Sequence, residues 1–295
     1  MDERLRCVAP VGDKCGEAAT WSADEGALYW CDVNRFLIHR LDRDNAVRSW
    51  FFDEPVTALS LTDQPGVLLV ALASRLILWR PEDDRRRDHG FAFPDWPRAR
   101  LNDGRAAPNG DFWVGSMANN VGPNGEPGEA AFGEGVLLRM RPGGAVRQYK
   151  AELGISNTVC WSPDRRTFYF GDTQRNTIWA YDYDEESGEI ANERPFFAGF
   201  ERGVPDGSAV DADGRLWNCR FDGACVVAVA PDGRIDQVLE MPVRNITTCA
   251  FGGGDLKTLY ITTAAMMTSE SDRLAGSLFA WEADAAGLDG FRAGL

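Results

Sequence analysis

The sequence predicts an all-β protein, a six-bladed β-propeller, and three observations lead to that prediction. Short runs that end in an aromatic residue or leucine recur six times, from GALYW near Trp30 to KTLYI near Tyr260. Their spacing of roughly 40–55 residues is typical of propeller blades. Apolar and polar residues alternate around each run, as in half-buried strands, and turn residues precede most runs.

Each repeat is predicted to contain four antiparallel strands. In the first repeat these are EAATW, GALYW, RFLIHRLD and VRSWFFDEP. The sixth repeat ends one strand short, and LRCVAPVG near the N-terminus is a spare strand that can complete it. We therefore expect residues 1–295 to form one propeller domain whose last blade is closed by the N-terminal strand. An all-β sandwich would not explain six similar units.

Charge and hydropathy exclude several classes of partner. The formal net charge is −14, and the one basic run, Arg85 to Arg87, is flanked by aspartates. We therefore expect neither nucleic acid nor an anionic membrane as a partner. No apolar run approaches the roughly 20 residues that span a bilayer. The N-terminus lacks the apolar core of a signal peptide, which predicts a cytoplasmic protein. The oligomeric state is not predicted.

The chain has only two histidines, His39 and His89. A Ser-His-Asp triad is possible only if one of them serves, and a His-rich zinc site is excluded. Their local sequences favour structural or exposed positions. Acid–base or metal chemistry is therefore expected to rest on carboxylates, amides and arginines.

The residue seven positions before each turn is polar in all six repeats and opens the first strand of its blade. Because first strands line the channel of a propeller, these residues are predicted to form a ring at one end. The ring consists of Glu17, Thr57, Asn102, Asn157, Asp206 and Thr248. The threonines are interpreted as polar residues that face solvent. Two carboxylates and an amide, from Glu17, Asn157 and Asp206, predict an all-oxygen site for calcium, magnesium or manganese.

Two further features are predicted to lie near the ring. The exit loop of the third repeat, Met117 to Gly135, is long and rich in Gly and Pro, and loops of this kind are often functional. It carries Asn119 and Asn120 near its base and could cover a ligand. Arg100 stands two residues before Asn102 and is expected at the same mouth.

Five motifs in order carry a resemblance to a known family. They are GEAATW (16–21), RLNDG (100–104), GISNTVCWSPD (154–164), PDGSAVDADGRLW (205–217) and CAFGGGDLKTLYITTA (249–264). Together they resemble the gluconolactonase, senescence marker protein (regucalcin) and luciferin-regenerating enzyme family. The resemblance covers essentially the full chain and implies a six-bladed propeller.

The resemblance also implies an activity and roles for the ring. Typical members hydrolyse sugar lactones to aldonic acids with one divalent cation, which is calcium, zinc, magnesium, manganese or iron(II). The family's metal ligands fall on Glu17, Asn157 and Asp206, and its substrate-binding Arg and Asn fall on Arg100 and Asn102. Asn120 aligns with a Glu that contacts substrate in animal members, a change that bears on which substrate is bound. Gly16-Glu17-Ala18-Ala19 lacks the family's usual proline but keeps the ligand.

The functional expectation is metal-assisted lactone hydrolysis in carbohydrate catabolism, with a small sugar lactone as the partner molecule. Asp206 is expected to hold the cation with one oxygen and to accept a proton from the attacking water with the other. Two alternatives stay open. One is an organophosphate or aryl-ester hydrolase on the same propeller, and the other is a non-enzymatic, calcium-binding regulatory propeller.

Overall fold

The structure, a computed structural model, describes residues 2–269 and 271–295 and confirms the six-bladed propeller. Its 24 strands form six antiparallel sheets of four. Blade 1 contains β2 Gly16–Ser22, β3 Ala27–Asp32, β4 Leu37–Leu41 and β5 Val47–Phe51. Blade 2 contains β6 Val56–Leu61, β7 Leu68–Leu72, β8 Arg75–Arg80 and β9 Arg85–Ala92. Blade 3 contains β10 Ala99–Ala106, β11 Phe112–Ala118, β12 Gly135–Met140 and β13 Val146–Leu153.

The second half of the chain repeats this pattern. Blade 4 contains β14 Ser156–Trp161, β15 Thr167–Asp172, β16 Thr177–Tyr183 and β17 Ile190–Ala198. Blade 5 contains β18 Val204–Val210, β19 Leu216–Phe221, β20 Cys225–Val229 and β21 Ile235–Glu240. Blade 6 contains β22 Ile246–Gly252, β23 Thr258–Thr263, β24 Leu278–Glu282 and β1 Leu5–Ala9. The N-terminal strand β1 pairs with β24 and closes the last blade, as the sequence predicts.

The first strands of the blades surround the channel. They contact one another in the cyclic order β2, β6, β10, β14, β18, β22 and back to β2. The pairing between each first strand and its neighbour shifts register at or next to the ring position, for example between Glu17 and Thr20 and between Asn157 and Cys160. Such bulges bend a strand and redirect its side chains. The bulges therefore explain how residues in continuous strands turn toward one end of the channel.

Apolar clusters fill the wedges between blades. Residues of neighbouring blades mix in each of six clusters, so each wedge has its own core. Six tryptophans are almost wholly buried in these wedges: Trp30, Trp79, Trp113, Trp161, Trp217 and Trp281. Trp30, Trp113 and Trp217 come from the recurrent aromatic runs, so the wide, flat side chains of these runs help to join one blade to the next.

The end of the channel opposite the ring is crossed by the C-terminal segment. A bridge between Asp211 and Gly287 fixes one side, and a bridge between Thr62 and Ala293 fixes the other. His39 and His89 lie in outer strands β4 and β9. Among the described residues, no helix is long and apolar enough to cross a bilayer.

Candidate metal and substrate site

The carboxyl groups of Glu17 and Asp206 face each other at the ring end of the channel. Asp206 is 7% exposed, and Glu17 is partly open to the mouth. Burial raises the pKa of Glu17 well above its usual range, and the charges of Asp206 and Asp103 raise it further. Burial and the charge of Asp103 likewise raise the pKa of Asp206, whose carboxyl lies within hydrogen-bonding reach of Glu17. Two carboxylates so placed repel each other unless a proton or a cation lies between them.

The side-chain amide of Asn157 is oriented by Thr173 of its own blade, which is held in turn by the next blade. Thr173 Oγ1 donates to the carbonyl oxygen of Pro205 at 2.7 Å, which commits its only proton. The same hydroxyl oxygen must therefore accept the hydrogen bond of 2.9 Å from Asn157 Nδ2. Asn157 Oδ1 is therefore the atom that can act as a ligand, through the lone pair that its 3.4 Å contact with Asn102 Nδ2 leaves unused. Outer partners of this kind commonly fix metal-binding side chains.

Arg100 organises the substrate side of the mouth, although only 5% of it is exposed. Its Nε and one terminal nitrogen donate to Asn120 Oδ1 at 3.1 and 2.9 Å. Its other terminal nitrogen donates to Asn102 Oδ1 at 2.6 Å. Burial lowers the pKa of Arg100 to about 10, so it stays charged at neutral pH. Both amides therefore present their NH₂ groups away from the guanidinium.

Asn102 and Asn120 present these NH₂ groups in different places. Asn102 Nδ2 donates to the carbonyl oxygen of Ser156 at 2.8 Å and lies 3.4 Å from Asn157 Oδ1. Asn102 is therefore in contact with the ligand set. Asn120 is partly exposed at the base of the long loop, where its Nδ2 can reach a ligand. The roles assigned to these residues in substrate binding stay predictions.

A strained threonine connects two of the ring residues. Thr158 has a φ of +56°, which is rare for a β-branched residue. Its hydroxyl donates to the carbonyl oxygen of Asp206 at 2.6 Å. Backbone strain at this position is thus accompanied by a hydrogen bond that ties the strand of Asn157 to that of Asp206. Strain of this kind is concentrated at functional sites in proteins.

The ring threonines differ from the expectation that they face solvent. Thr57 is 3% and Thr248 is 2% exposed. The Thr57 hydroxyl donates to the carbonyl oxygen of Ala71 at 3.3 Å, which is a structural role. Thr248 packs against Gly207, where a Cβ would overlap its Oγ1. The two threonine positions, which lie on either side of Glu17 in the ring, are therefore occupied by structural contacts, and the other four positions supply the polar groups of the candidate site.

Two aspartates that the sequence analysis missed hold the loops in front of Glu17 and Asn157. Asp32 accepts hydrogen bonds from the backbone N–H groups of Lys14 and Cys15, and Asp172 accepts them from Gly154 and Ile155. Both aspartates are wholly buried. They occupy the same repeat position, two residues after the aromatic residues Trp30 and Phe170. That shared position is the sequence signal that could have found them.

The long loop of blade 3 is attached to the blades on either side of the mouth. The side chain of Asn34, in blade 1, donates to the carbonyl oxygen of Gly125 at 3.1 Å. On the other side, Gln174 of blade 4 donates to the carbonyl oxygen of Ala130 at 2.9 Å. Val121 is buried in the cluster between blades 1 and 2. The loop is thus held along the rim by three separate contacts.

The donor set fits a hard divalent cation. Two carboxylates and one oriented amide oxygen are the ligands that such cations prefer, and a cation would relieve the repulsion between Glu17 and Asp206. Within residues 2–269 and 271–295, no three or more His, Cys, Asp and Glu side chains group as metal ligands. The candidate site contributes two such side chains, Glu17 and Asp206, and the amide oxygen of Asn157 would be its third ligand.

Comparisons with known proteins identify one family model and several similar proteins. The family model described as SMP-30/Gluconolactonase/LRE-like region matches residues 15–265. The chain is 34% identical to the 6-deoxy-6-sulfogluconolactonase of Pseudomonas putida, over 95% of this chain and 92% of that protein. It is 33% identical to a pentonolactonase of Haloferax volcanii, over 97% of this chain and 96% of that protein.

A solved structure is similar over nearly the whole chain. The regucalcin of Agrobacterium tumefaciens, described as a calcium-binding protein, superposes with a TM-score of 0.91. The alignment covers 98% of this chain and 97% of that one at 25% sequence identity. Sequence and structural relatives therefore agree on one family.

Proposed function

The chain belongs to the SMP-30/gluconolactonase/LRE-like family, and on that premise we propose that it is a divalent-metal-dependent lactonase in carbohydrate catabolism. It hydrolyses a sugar lactone to the corresponding aldonic acid within one propeller domain, residues 1–295. The observation that carries this proposal is the pair of buried carboxylates, Glu17 and Asp206, beside the oriented oxygen of Asn157. The named lactonases among its relatives support the reaction class.

Glu17, Asn157 and Asp206 would hold the cation. A divalent cation bound there supplies Lewis acidity, which stabilises negative charge that develops on the lactone carbonyl oxygen. Calcium, magnesium, manganese, zinc and iron(II) are all candidates. The all-oxygen donor set favours the harder ions among them.

Asp206 is the proposed general base. Its carboxylate accepts a proton from the water that attacks the lactone carbonyl carbon, and the ring C–O bond then breaks. The proton is returned to the ring oxygen, which becomes the hydroxyl group of the aldonic acid. Burial and the charge of Asp103 raise the pKa of Asp206, and a cation bound beside it would keep the carboxylate ionised at neutral pH, as a base requires.

Arg100, Asn102 and Asn120 are the proposed substrate-binding residues. Because Arg100 occupies the oxygens of both amides and Asn102 Nδ2 already donates to the carbonyl oxygen of Ser156, the NH₂ hydrogens of Asn120 are the donors that remain for ligand oxygens. A polyhydroxylated lactone offers several such oxygens. A phosphotriester has no ring hydroxyls, so it would use these donors poorly.

A panel of substrates and metals tests the proposal. Protein stripped with a chelator is supplied in turn with the five cations and assayed on gluconolactone, galactonolactone, arabinonolactone, xylonolactone and fuconolactone. We expect hydrolysis of at least one lactone, loss of activity on chelation and recovery with a preferred cation. The same protein is assayed on a phosphotriester and an aryl ester.

Other outcomes would overturn the proposal. Faster metal-dependent hydrolysis of the phosphotriester or aryl ester would favour the alternative hydrolase. Tight calcium binding without hydrolysis of any lactone would favour a regulatory propeller. Full lactonase activity in the chelated protein would remove the cation from the mechanism.

A further inference from the structure

The outer face of blade 1 contains a hydrogen-bonded Ser–His–Asp chain. His39 in β4 lies directly opposite Ser49 in β5, and its Nδ1 is 2.7 Å from Ser49 Oγ. Its Nε2 is 3.0 Å from Oδ1 of Asp13, in the loop that precedes β2. The lactone site uses none of these three side chains. His39 is also one of only two histidines in the chain.

The hydrogen bonds define the roles of the imidazole nitrogens. An Asp13 carboxylate oxygen can only accept, so His39 Nε2 carries a hydrogen and donates it. In the neutral ring, Nδ1 then has a lone pair and accepts the hydrogen bond from the Ser49 hydroxyl. Relative to serine proteases, in which Nε2 faces the serine, the two ring nitrogens have exchanged places. The functional order of nucleophile, base and orienting acid is the same.

Burial separates the supporting groups from the serine. Asp13 is 1% exposed and His39 is 2% exposed, whereas Ser49 is exposed on the edge strand of the blade. The other carboxylate oxygen of Asp13 accepts a hydrogen bond of 2.8 Å from Trp30 Nε1. The acid and the base are thus fixed inside the protein, and the hydroxyl that they orient is open to reagents.

The surface beside Ser49 is apolar. Val47 and Phe51 flank it at two residues' distance in β5, so all three side chains lie on the same side of the strand. Val47 is 36% exposed and Phe51 is 64% exposed. An apolar acyl, alkyl or aryl group could rest on these side chains while its reactive centre meets the serine.

We propose that Ser49 is a nucleophile that takes an acyl or phosphonyl group from an apolar, activated ester or phosphonofluoridate. In the transfer from a phosphonofluoridate, Ser49 Oγ bonds to phosphorus and the P–F bond breaks. The hydroxyl proton passes to His39 Nδ1 and then to solvent, and fluoride leaves. In the transfer from an ester, Oγ bonds to the carbonyl carbon and the alkoxide or phenolate leaves with the proton.

A fluorophosphonate probe with an alkyl chain tests this site on the full-length protein. We expect one probe to add per chain, as measured by intact mass, and peptide mapping to find it on Ser49. Ser49→Ala should lose this adduct, and Asp13→Asn should slow labelling by about tenfold or more, since the imidazole loses its orienting carboxylate. Chelation of divalent cations should leave the labelling rate unchanged.

Matched variants keep the test decisive. Ser271 is also exposed, and among the residues that the structure describes its hydroxyl contacts only Ser269, so Ser271→Ala should label at the parental rate. Ser49→Ala removes one surface hydroxyl, and we expect it to fold and to keep parental lactone hydrolysis. Equal labelling of the parent and Ser49→Ala, an adduct on another residue, or no adduct at all would each overturn the proposal. If Asp13→Asn does not fold, the comparison of Ser49→Ala with Ser271→Ala still decides.

Discussion

The channel mouth and the outer face of blade 1 use the same stretch of chain in opposite ways. Asp13 and Glu17 are four residues apart, yet Asp13 pairs with His39 on the outer strands and Glu17 faces Asp206 across the channel. At the mouth, blades 1 and 5 bring the like charges of Glu17 and Asp206 together. On the outer face, cross-strand neighbours of one blade bring an acid to a base. The position of an acidic side chain within the blade therefore decides its partner. At the channel it is available to a cation, and on the outer strands it is already hydrogen-bonded to a base.

The two regions also differ in shape. The loop from Met117 to Gly135 forms part of the rim of the mouth and is held there by contacts with blades 1 and 4. Ser49 stands on an exposed edge strand with apolar neighbours. Polar groups from several blades can contact a small sugar from several sides, whereas an exposed serine can only meet a reagent from one side. We therefore expect turnover at the mouth and slow, stoichiometric transfer at the outer face.

The largest expected effect is on lactone turnover when the proposed base is removed, because this change should affect the channel mouth and leave the outer face of blade 1 unaffected. Asp206→Asn should lower kcat for the best lactone by about 10²–10⁴-fold, because an amide cannot accept the proton from water. Ser49 should still be labelled at the parental rate. Steady-state lactone hydrolysis and probe labelling of the same preparation measure both. Asp213→Asn is the matched control, since the segment has two Asp-Gly pairs, Asp206-Gly207 and Asp213-Gly214, and Asp213 lies at an exposed turn. Parental turnover in Asp206→Asn would contradict the assignment.

The next effect concerns the cation. Glu17→Gln keeps an oxygen but removes one of two negative charges, so cation affinity should fall by more than the ~10–100-fold that loss of an outer partner costs. Isothermal titration calorimetry of protein that a chelator has stripped of metal measures the cation affinity in the absence of substrate. Glu185→Gln, which removes an exposed charge paired with Arg165, should titrate as the parent does. Unchanged affinity in Glu17→Gln would remove this residue from the ligand set.

A smaller effect is expected from the residue that orients Asn157. Thr173→Val removes the hydroxyl that accepts from Asn157 Nδ2, so the amide can rotate and cation affinity should fall by ~10-fold. Thr173→Ser keeps the hydroxyl and should restore the parental affinity. Thr177→Val is a control in the same blade, since its hydroxyl donates only to the carbonyl oxygen of Arg175. If Val and Ser bind the cation equally, the hydroxyl does not orient the ligand.

The smallest effect is on stability as a function of pH. The folded-state pKa values of Glu17 and Asp206 lie above those of the unfolded chain, so the folded state binds more protons. Their contribution to stability is complete below about pH 4 and is lost as pH rises through the raised pKa values. In chelator, the melting temperature of the parent should therefore rise relative to that of Glu17→Gln/Asp206→Asn as pH falls from about 8 to about 5.

Saturating calcium should reverse the sign of this pH effect, because the cation binds the deprotonated carboxylates and protons compete with it. Melting curves of the parent and the double variant, each with and without calcium, measure the difference. The shared effect of the acidic surface cancels in this comparison. If the melting temperatures of the parent and the double variant change with pH in parallel, Glu17 and Asp206 have the same pKa values in the folded and unfolded states, which would contradict the prediction.

The two Asp-Gly pairs show how far sequence reasoning reaches. The repeat alone separates Asp206, which opens a strand, from Asp213, which forms a turn, and the strands β18 and β19 confirm that separation. The repeat does not explain why a glycine follows each of these aspartates. Gly214 has a φ of +86°, which a turn requires, whereas Gly207 is needed because a Cβ would overlap Thr248. The second reason involves a neighbouring blade, and a local pattern contains no information about it.

The histidine count shows a similar limit. The sequence allows a Ser-His-Asp chain only through one of two histidines, and it favours a structural role for both. Strand pairing places Ser49 opposite His39, but Asp13 comes from a loop before the blade. No spacing rule connects Asp13 to His39, because the contact depends on how that loop packs.

Periodicity by itself determined the number of blades, the closure by β1 and the ring of six positions, because each follows from alternation within a strand and repetition along the chain. Tertiary structure alone decided the orientation of the side chains in that ring. Asn157 shows its oxygen because Thr173 is committed to a carbonyl of the next blade, and Arg100 binds the amide oxygens of Asn102 and Asn120, which fixes the direction of both NH₂ groups. Hydrogen bonds between blades join residues that are distant in sequence, so they are fixed only when the ring closes.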